Sequence, residues 1–338
     1  MIKQTIETLI EGRDLSQEAA HRAMEFVMSG EATPAQLAAF LTALRMKGEA
    51  VDEITGFARA MREAAVPVKV DGPVIDTCGT GGDGSGSYNI STASAIVAAA
   101  AGIRVAKHGN RSASSKCGSA DVLEALGVRI AVTPEQAQRC LEKVGIAFLF
   151  AQAFHPAMRH VAPIRTELGI RTVFNILGPL ANPAGATRQV LGVASAELAP
   201  KMAGILQRLG VERALVVHGE DGLDEISLSG PTLVYEVGGD EILRYAVSPE
   251  ELGLSTAAPS ALVGGDKETN AEILTALFRG ESGPKRDALL ANAAAALYVG
   301  DKTTSLIGGV SAAAEVIDSG AALRKLDELI AFTQALDG

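Results

Sequence analysis

Three stretches of this chain gather the residue types that hold phosphate and divalent metal. The first runs from Gly79 to Thr92, "GTGGDGSGSYNIST". Gly79, Gly81 and Gly82 precede Asp83, and Asn89, Ser91 and Thr92 open a run of small apolar residues. Glycines let a backbone approach a ligand closely. A helix N-terminus offers free N–H groups and a positive dipole end, and a hydroxyl there can also ligate Mg2+. The pattern is neither a Walker loop nor GxGxxG, which disfavours nucleotide-binding families of those kinds.

The second stretch, "KHGNRSASSKCGSADVLEALG", supplies charge from Lys107, Arg111 and Lys116. Its Asn110, Ser114, Ser115 and Ser119 supply hydrogen bonds. His108 reads equally well as a structural histidine and is not taken as a general base. The third stretch, His218 to Ser227, holds Glu220, Asp221, Asp224 and Glu225. Adjacent carboxylates are hard oxygen ligands suited to Mg2+ bridging to a phosphate. Each stretch alone has a plainer reading: a glycine turn with an N-cap, a solvated basic loop, a solvated acidic turn. A fourth, Phe154 to Thr172, carries His155, Arg159, Arg165 and Arg171. An arginine such as Arg165 can take a carboxylate in a bidentate fork.

The elements that must position these residues follow from periodicity. The first 65 or so residues read as a small helical bundle. Thr33, Pro34 and Gln36 form a helix start with a capping box, and Leu37, Phe40, Leu41 and Leu44 repeat along one face until Gly48. Ile54, Phe57, Ala58 and Met61 repeat the spacing, and helices are expected around residues 3–10 and 16–28. From about residue 72, short β-branched runs alternate with helices: "PVIDTC", "STASAIVAAAAG", "IRVAKHG", "ADVLEALG" and, later, "RALVVHG". Such alternation implies a mostly parallel sheet covered by helices. Each of the three loops then follows a strand, on the edge where open α/β sheets bind ligands. Residues from about 156 to 185 interrupt the alternation with Pro-bounded helical pieces.

The bulk numbers exclude several classes. The 338 residues allow about two domains. A net charge of -10 argues against nucleic acid as a partner. Yet Arg104, Lys107, His108, Arg111 and Lys116 form a basic island, which suits a small anion. No apolar run of about 18 residues predicts a membrane span. Cys78, Cys117 and Cys140 are too few and scattered for a disulfide framework or zinc cluster. A cytoplasmic protein with reduced thiols is expected.

Taken together, "GTGGD" at 79–83, "NIST" at 89–92, "KHGNR" at 107–111, "GSADVLEALG" at 118–127, "FNILGPLANPA" at 174–184 and "HGEDGLDEIS" at 218–227 resemble the anthranilate phosphoribosyltransferases. The likeness covers essentially the whole chain. It implies a small all-helical domain and a large α/β domain with a mostly parallel central sheet, of the nucleoside phosphorylase and phosphoribosyltransferase type. The expected division is 1–70 with about 160–185 for the helical, dimerising part, and 71–160 with 186–338 for the α/β part. The implied reaction joins anthranilate to phosphoribosyl pyrophosphate, releasing pyrophosphate, in tryptophan biosynthesis.

Carried over residue by residue, the resemblance places phosphoribosyl pyrophosphate on Gly79, Gly82, Asp83, Ser87, Asn89, Ile90, Ser91 and Thr92. It adds Lys107, His108, Gly109, Asn110, Arg111, Ser112, Ala113, Ser114, Ser115 and Ser119. Anthranilate would meet Gly79, Asn110 and Arg165, the last facing its carboxylate. Mg2+, two ions per site, would be held by Ser91, Asp224 and Glu225, and the chain would be a homodimer. Ser87 and Tyr88 stand where Thr and Phe are expected, which keeps a hydroxyl and an aromatic. Two rivals remain: a pyrimidine nucleoside phosphorylase, expected to lack "GNR" and the "DE" pair, and a non-catalytic nucleic-acid-binding homologue.

Overall fold

The computed structural model describes residues 1–112 and 115–336. Four helices open the chain: α1 (Ile2–Ile10), α2 (Gln17–Met28), α3 (Pro34–Lys47) and α4 (Val51–Ala64). The capping box at Thr33 forms, Pro34 starts α3, and Gly48 ends it at φ +83°. Leu37, Phe40, Leu41 and Leu44 are buried, and so are Ile54, Phe57, Ala58 and Met61 of α4. The rings of Phe40 and Phe57 meet edge-on, 5.8 Å between centroids. The periodic apolar face is therefore the packed face, as the spacing requires.

Seven strands form one sheet: β1 (Ile75–Gly79), β2 (Val105–Gly109), β3 (Ile146–Phe150), β4 (Arg188–Gly192), β5 (Arg213–Gly219), β6 (Thr232–Gly238) and β7 (Glu241–Val247). Their order is β3-β2-β1-β4-β5-β6-β7. The first five run parallel, and β6 and β7 add an antiparallel edge. β4 pairs with β1 and β5 at the centre of the sheet, although "RQVLG" carries little strand signal. Arg188 and Gln189 break its apolar run. The fold uses both: Arg188 pairs with Glu212 and Asp301, and Gln189 donates to the Pro179 carbonyl at 2.7 Å.

The connections are helical. α5 (Ile90–Ala100), α6 (Ser119–Ala125) and α7 (Pro134–Lys143) serve β1 to β3. The crossover to β4 contains α8 (Ala151–Phe154), α9 (Ala162–Leu168) and α10 (Phe174–Leu177); α11 (Leu198–Arg208) leads to β5. The chain then continues through α12 (Lys267–Phe278), α13 (Pro284–Val299), α14 (Leu306–Asp318) and α15 (Ala321–Gln334). α5 and α13 are apolar almost all round and pack on each other, which is the environment such helices need. Among the described residues, no single helix is long and apolar enough to cross a membrane. The three cysteines are free thiols.

Two cores result. One lies between the sheet and α5, α13, α14 and α15. The other joins the helical bundle, the crossover residues Val161, Phe174, Leu177 and Leu180, and the opposite sheet face through Leu191, Val193 and Val216. The crossover is thus built into the bundle side while it spans the carboxyl ends of the strands. The chain winds outward from β1 to β3, then restarts on the other side of β1 with β4. That reversal opens a crevice at the carboxyl ends of β1 and β4.

Candidate functional site at the carboxyl rim of the sheet

The three loops meet at this crevice. Gly81 N donates to Asp224 Oδ2 at 2.8 Å, and Ser91 N donates to Glu225 Oε1 at 3.1 Å. These bonds join the loop after β1 to the loop after β5. Lys107, on β2, donates from Nζ to the Thr77 carbonyl at 2.6 Å and to Ser91 Oγ at 3.3 Å. Asn89 Nδ2 donates to the Cys117 carbonyl at 3.2 Å, which brings the loop after β2 into the same cluster. Glycine is required where the strands end. A Cβ on Gly79 would strike the Asp224 carboxylate, and one on Gly192 would strike the Asp224 backbone carbonyl. A cleft of about 200 Å³ opens between the first and third loops, lined by Asp83, Ser85, Ser87, Asp221, Leu223 and Leu262.

The electrostatics are those of a site short of positive charge. Burial pushes Asp224 up to about 7, and the charge of Asp83 adds to the shift. Burial, then Asp224, hold Glu225 well above the carboxylate range. Lys107 is buried, which lowers its pKa, while Asp76, Cys78 and Glu225 oppose that shift. The one buried ammonium therefore lies between Asp76 and Glu225, while Asp224 and Asp83 crowd Glu225 with further negative charge. Asp76 is raised to about 6 by burial, against Lys107 and hydrogen bonds from Asn182 Nδ2 and His108 N. Among the described residues, Asp83 Oδ2 and Thr92 Oγ1 are buried without partners. A hard, oxygen-only donor set with an unpaired carboxylate oxygen fits Mg2+. Ser91, Asp224 and Glu225 could hold it, with Asp83 beside Asp224.

The rest of the sequence-derived set divides. Ile90 begins α5, and Ser87 bridges to Val263. Within the second loop, Ser112 Oγ and Ser115 Oγ stand 2.8 Å apart, and Ser119 Oγ donates to the Asn110 carbonyl. Asn110 Oδ1 accepts from Arg111 N at 2.8 Å. Ala113 and Ser114 lie outside the described residues. The Arg111 guanidinium is directed away from the rim, onto Asp121 and Glu124 of α6. Gly109 ends β2 at the same rim.

Arg165 stands on α9 over the Phe174 ring, 5.6 Å from its centroid. It is half-buried and, among the described residues, its guanidinium has no hydrogen bond or ion pair. Among the described residues, no hydrogen bond or ion pair joins it to the three loops. Arg171 has such a bond: its Nη2 donates to the Gly81 carbonyl at 3.1 Å. Only its membership in the arginine-rich stretch pointed to it. His108 and His155 lie with ring centroids 5.1 Å apart, and His108 Nδ1 is 3.1 Å from the Gly178 carbonyl. Burial lowers them to about 3 and about 4, so both are neutral. Asn182, which donates to both Asp76 and the Ala106 carbonyl, had no local signal at all.

Residues 71–323 match the α/β domain of a glycosyl transferase family, and residues 3–65 match the helical bundle domain of a glycosyl transferase family. The anthranilate phosphoribosyltransferase of Acetivibrio thermocellus is 54% identical over 99% of this chain and 97% of its own length. The crystal structure of the enzyme of that name from Thermus thermophilus superimposes with a TM-score of 0.93 at 51% identity, covering 98% of this chain and 99% of that one. The Saccharomyces cerevisiae enzyme, solved in complex with phosphoribosyl pyrophosphate and Mg, gives 0.92 at 30% identity, with 99% and 98% covered. Coverage of both domains at such identity leaves no room for a shared fold alone: the chain belongs to the anthranilate phosphoribosyltransferase family.

Proposed function

We propose that this protein transfers the phosphoribosyl group of 5-phosphoribosyl 1-pyrophosphate to the amino nitrogen of anthranilate, releasing pyrophosphate, in tryptophan biosynthesis. One observation carries the reading. Ser91, at the start of α5, is held between the Lys107 ammonium and the Glu225 carboxylate, where β1, β2 and β5 end together. The phosphorylase rival is expected to be without the carboxylate pair that completes this arrangement.

The bond from the anomeric carbon to the pyrophosphate oxygen breaks, a carbon–nitrogen bond forms, and the amine loses a proton. Mg2+, when bound, neutralises the diphosphate and polarises the leaving oxygen. Lys107 adds a fixed positive charge beside it, without reorganisation as negative charge develops. Gly79 and Gly82 let the backbone approach the sugar and diphosphate, with Asp83 beside them. Ser87, Asn89, Ile90, Ser91 and Thr92 line the diphosphate, and the loop from Lys107 to Ser115, with Ser119, holds the phosphates. Asn110 and Arg165 orient anthranilate, the Arg165 guanidinium taking its carboxylate in a fork. Neither His108 nor His155 is an imidazolium near neutrality, so these rings carry no positive charge there and do not act as imidazolium acids. The aniline nitrogen is a weak nucleophile, and orientation supplies much of the rate.

Two Mg2+ per site fit three neighbouring carboxylates, Asp83, Asp224 and Glu225, of which only Glu225 has a buried ammonium beside it. The division of the chain into a helical part, 1–70 with about 160–185, and an α/β part accords with a core shared by bundle and crossover. A homodimer through the bundle would cover Ile10 and Met46, which are 71% and 83% exposed. The free thiols fit the cytoplasm.

The test is to mix the protein with anthranilate, phosphoribosyl pyrophosphate and Mg2+ and follow anthranilate fluorescence. A loss that chelator abolishes is expected. No loss with fresh substrates would overturn the reading.

A further inference from the structure

We propose that Asn270, on the first turn of α12 and outside all three loops, is a positioning residue for the diphosphate substrate. It fixes the amide of Asn89 and, through it, ties the first loop to the second. The proposal rests on the transfer reaction proposed above.

Asn270 is buried and both ends of its amide are used. Its Nδ2 donates to Asn89 Oδ1 at 2.9 Å, and its Oδ1 accepts from Gly265 N at 2.8 Å. Asn89 Nδ2 in turn donates to the Cys117 carbonyl, and Cys117 Sγ donates to Asn89 Oδ1 at 3.4 Å. The same segment before α12 grips the first loop along its backbone. Tyr88 N donates to the Leu262 carbonyl, and Gly264 N donates to the Gly86 carbonyl. α12 also packs on α6, the helix that follows the second loop. One helix start is thus the shared floor of two ligand loops.

The position of Asn89 gives this brace a chemical consequence. Asn89 is the N-cap residue of α5, where an asparagine oxygen normally accepts from the N–H groups of the first turn. Its side chain makes no cap bond. Asn270 and Cys117 occupy that oxygen instead. The first turn of α5 turns to the rim instead: Ser91 N meets Glu225, and the buried Thr92 hydroxyl has no partner among the described residues. Without the Asn270 donor, Asn89 Oδ1 is free to turn back and cap the helix, competing with Glu225 for the first-turn N–H groups and loosening the tie between the first and second loops.

Asn270→Ala and Asn270→Asp both remove the donor. Gly264→Ala keeps it but drives a methyl into Asn270 Oδ1 and Tyr88. Each variant should raise the KM for phosphoribosyl pyrophosphate about tenfold, the loss expected when one buried hydrogen-bonding group goes unpaired. The KM for anthranilate and kcat at saturation should stay close to wild type. Thr333→Ala, a buried hydroxyl bonded to Arg129 N and the Leu329 carbonyl, is the destabilised control and should move neither KM. Hydrogen exchange without substrate needs no turnover: in Asn270→Ala, peptides covering 86–92 and 115–119 should exchange faster together. Unchanged KM for phosphoribosyl pyrophosphate with unchanged exchange would overturn the proposal. So would a rise in both KM values that merely tracks the fall in Tm. A wild-type chain with no transfer activity but the predicted exchange pattern would instead sink the assigned reaction and leave the brace standing.

Discussion

The guanidinium of Arg171 lies directly over Gly82, so that a Cβ on that glycine would fall inside it. Arg171 follows α9 in the crossover, whereas Gly82 belongs to the loop after β1. One cation therefore joins the bundle side of the molecule to the diphosphate loop, through its bond to the Gly81 carbonyl. Gly82 also sits at φ +77°, where an L side chain adds about 1 kcal/mol of strain. Gly82→Ala should keep the fold and raise the KM for phosphoribosyl pyrophosphate by about tenfold or more. Arg171→Ala should partly rescue it, because the clashing partner is gone while the strain remains. Steady-state kinetics of the two single variants and the double variant check this; strictly additive losses would refute the contact as the cause.

Among the described residues, Lys107 is the ammonium buried between the carboxylates of the rim. Lys107→Met removes the charge but keeps most of the stem. Asp76 and Glu225 then lose their nearest compensating cation, and stability should fall by on the order of 3 kcal/mol. Turnover should fall roughly 100- to 1,000-fold, the range for losing one preorganised donor to a developing charge. Thermal unfolding and single-turnover rates measure the two effects separately. Full turnover in this variant would contradict electrostatic stabilisation of the leaving group.

The helical bundle was legible because its signals are local. Thr33, Pro34 and Gln36 specify a start, Gly48 a stop, and the apolar spacing between them a face. The three loops were legible because glycines, hydroxyls and paired carboxylates are informative by type. β4 was not, because Arg188 and Gln189 look like surface residues until Asp301, Glu212 and Pro179 arrive from elsewhere in the chain. The partners of Arg111 were not legible either: its guanidinium bonds Glu124 and Asp121, thirteen and ten residues further on. Asn182, Asn270 and Arg171 act through contacts 90 or more residues away in sequence, between elements whose juxtaposition no spacing rule contains.

The carboxylates make stability depend on pH and metal together. Asp224 is raised by burial and by Asp83 to about 7, from an unfolded value near 4. An acid with a higher pKa when folded takes up protons on folding. Its stabilising contribution is complete below about pH 4 and is lost as pH rises through about 7. Glu225 acts in the same direction. Asp121, lowered against its burial by hydrogen bonds from Gly118 N and Ser112 N and then by Arg111, and Glu124, lowered beside Arg111, act in the opposite direction, but their contribution is complete above about pH 5. His108 and His155, depressed by burial, act the other way below about pH 6.5, so in chelator Tm should fall as pH rises from about 6.5 to 8. Millimolar Mg2+ should raise Tm more at pH 8 than at pH 5, because the ligands must be deprotonated to bind. Thermal scans at both pH values, with and without metal, decide it; a metal effect larger at pH 5 would be the wrong sign.

Asp224→Asn separates the structural burden of the site from its chemistry. The asparagine keeps an oxygen for Gly81 N and gains an N–H that can face Asp83. One of three crowded negative charges disappears, so the metal-free protein should become more stable at pH 8. A gain of about 1–2 kcal/mol corresponds to roughly 1–3 °C in Tm for a chain of this size. The fall of Tm between about pH 6.5 and pH 8 should flatten, and the upward shift caused by Mg2+ should shrink. Activity should move the other way, with kcat/KM down about 100-fold, since a metal ligand beside the leaving group is lost. Stability rising while turnover falls is the signature of a charge kept for its function rather than for the fold. A variant less stable than wild type in chelator at pH 8 would show that Asp224 is instead held by its hydrogen bonds, with the neighbouring carboxylates exerting no net repulsion.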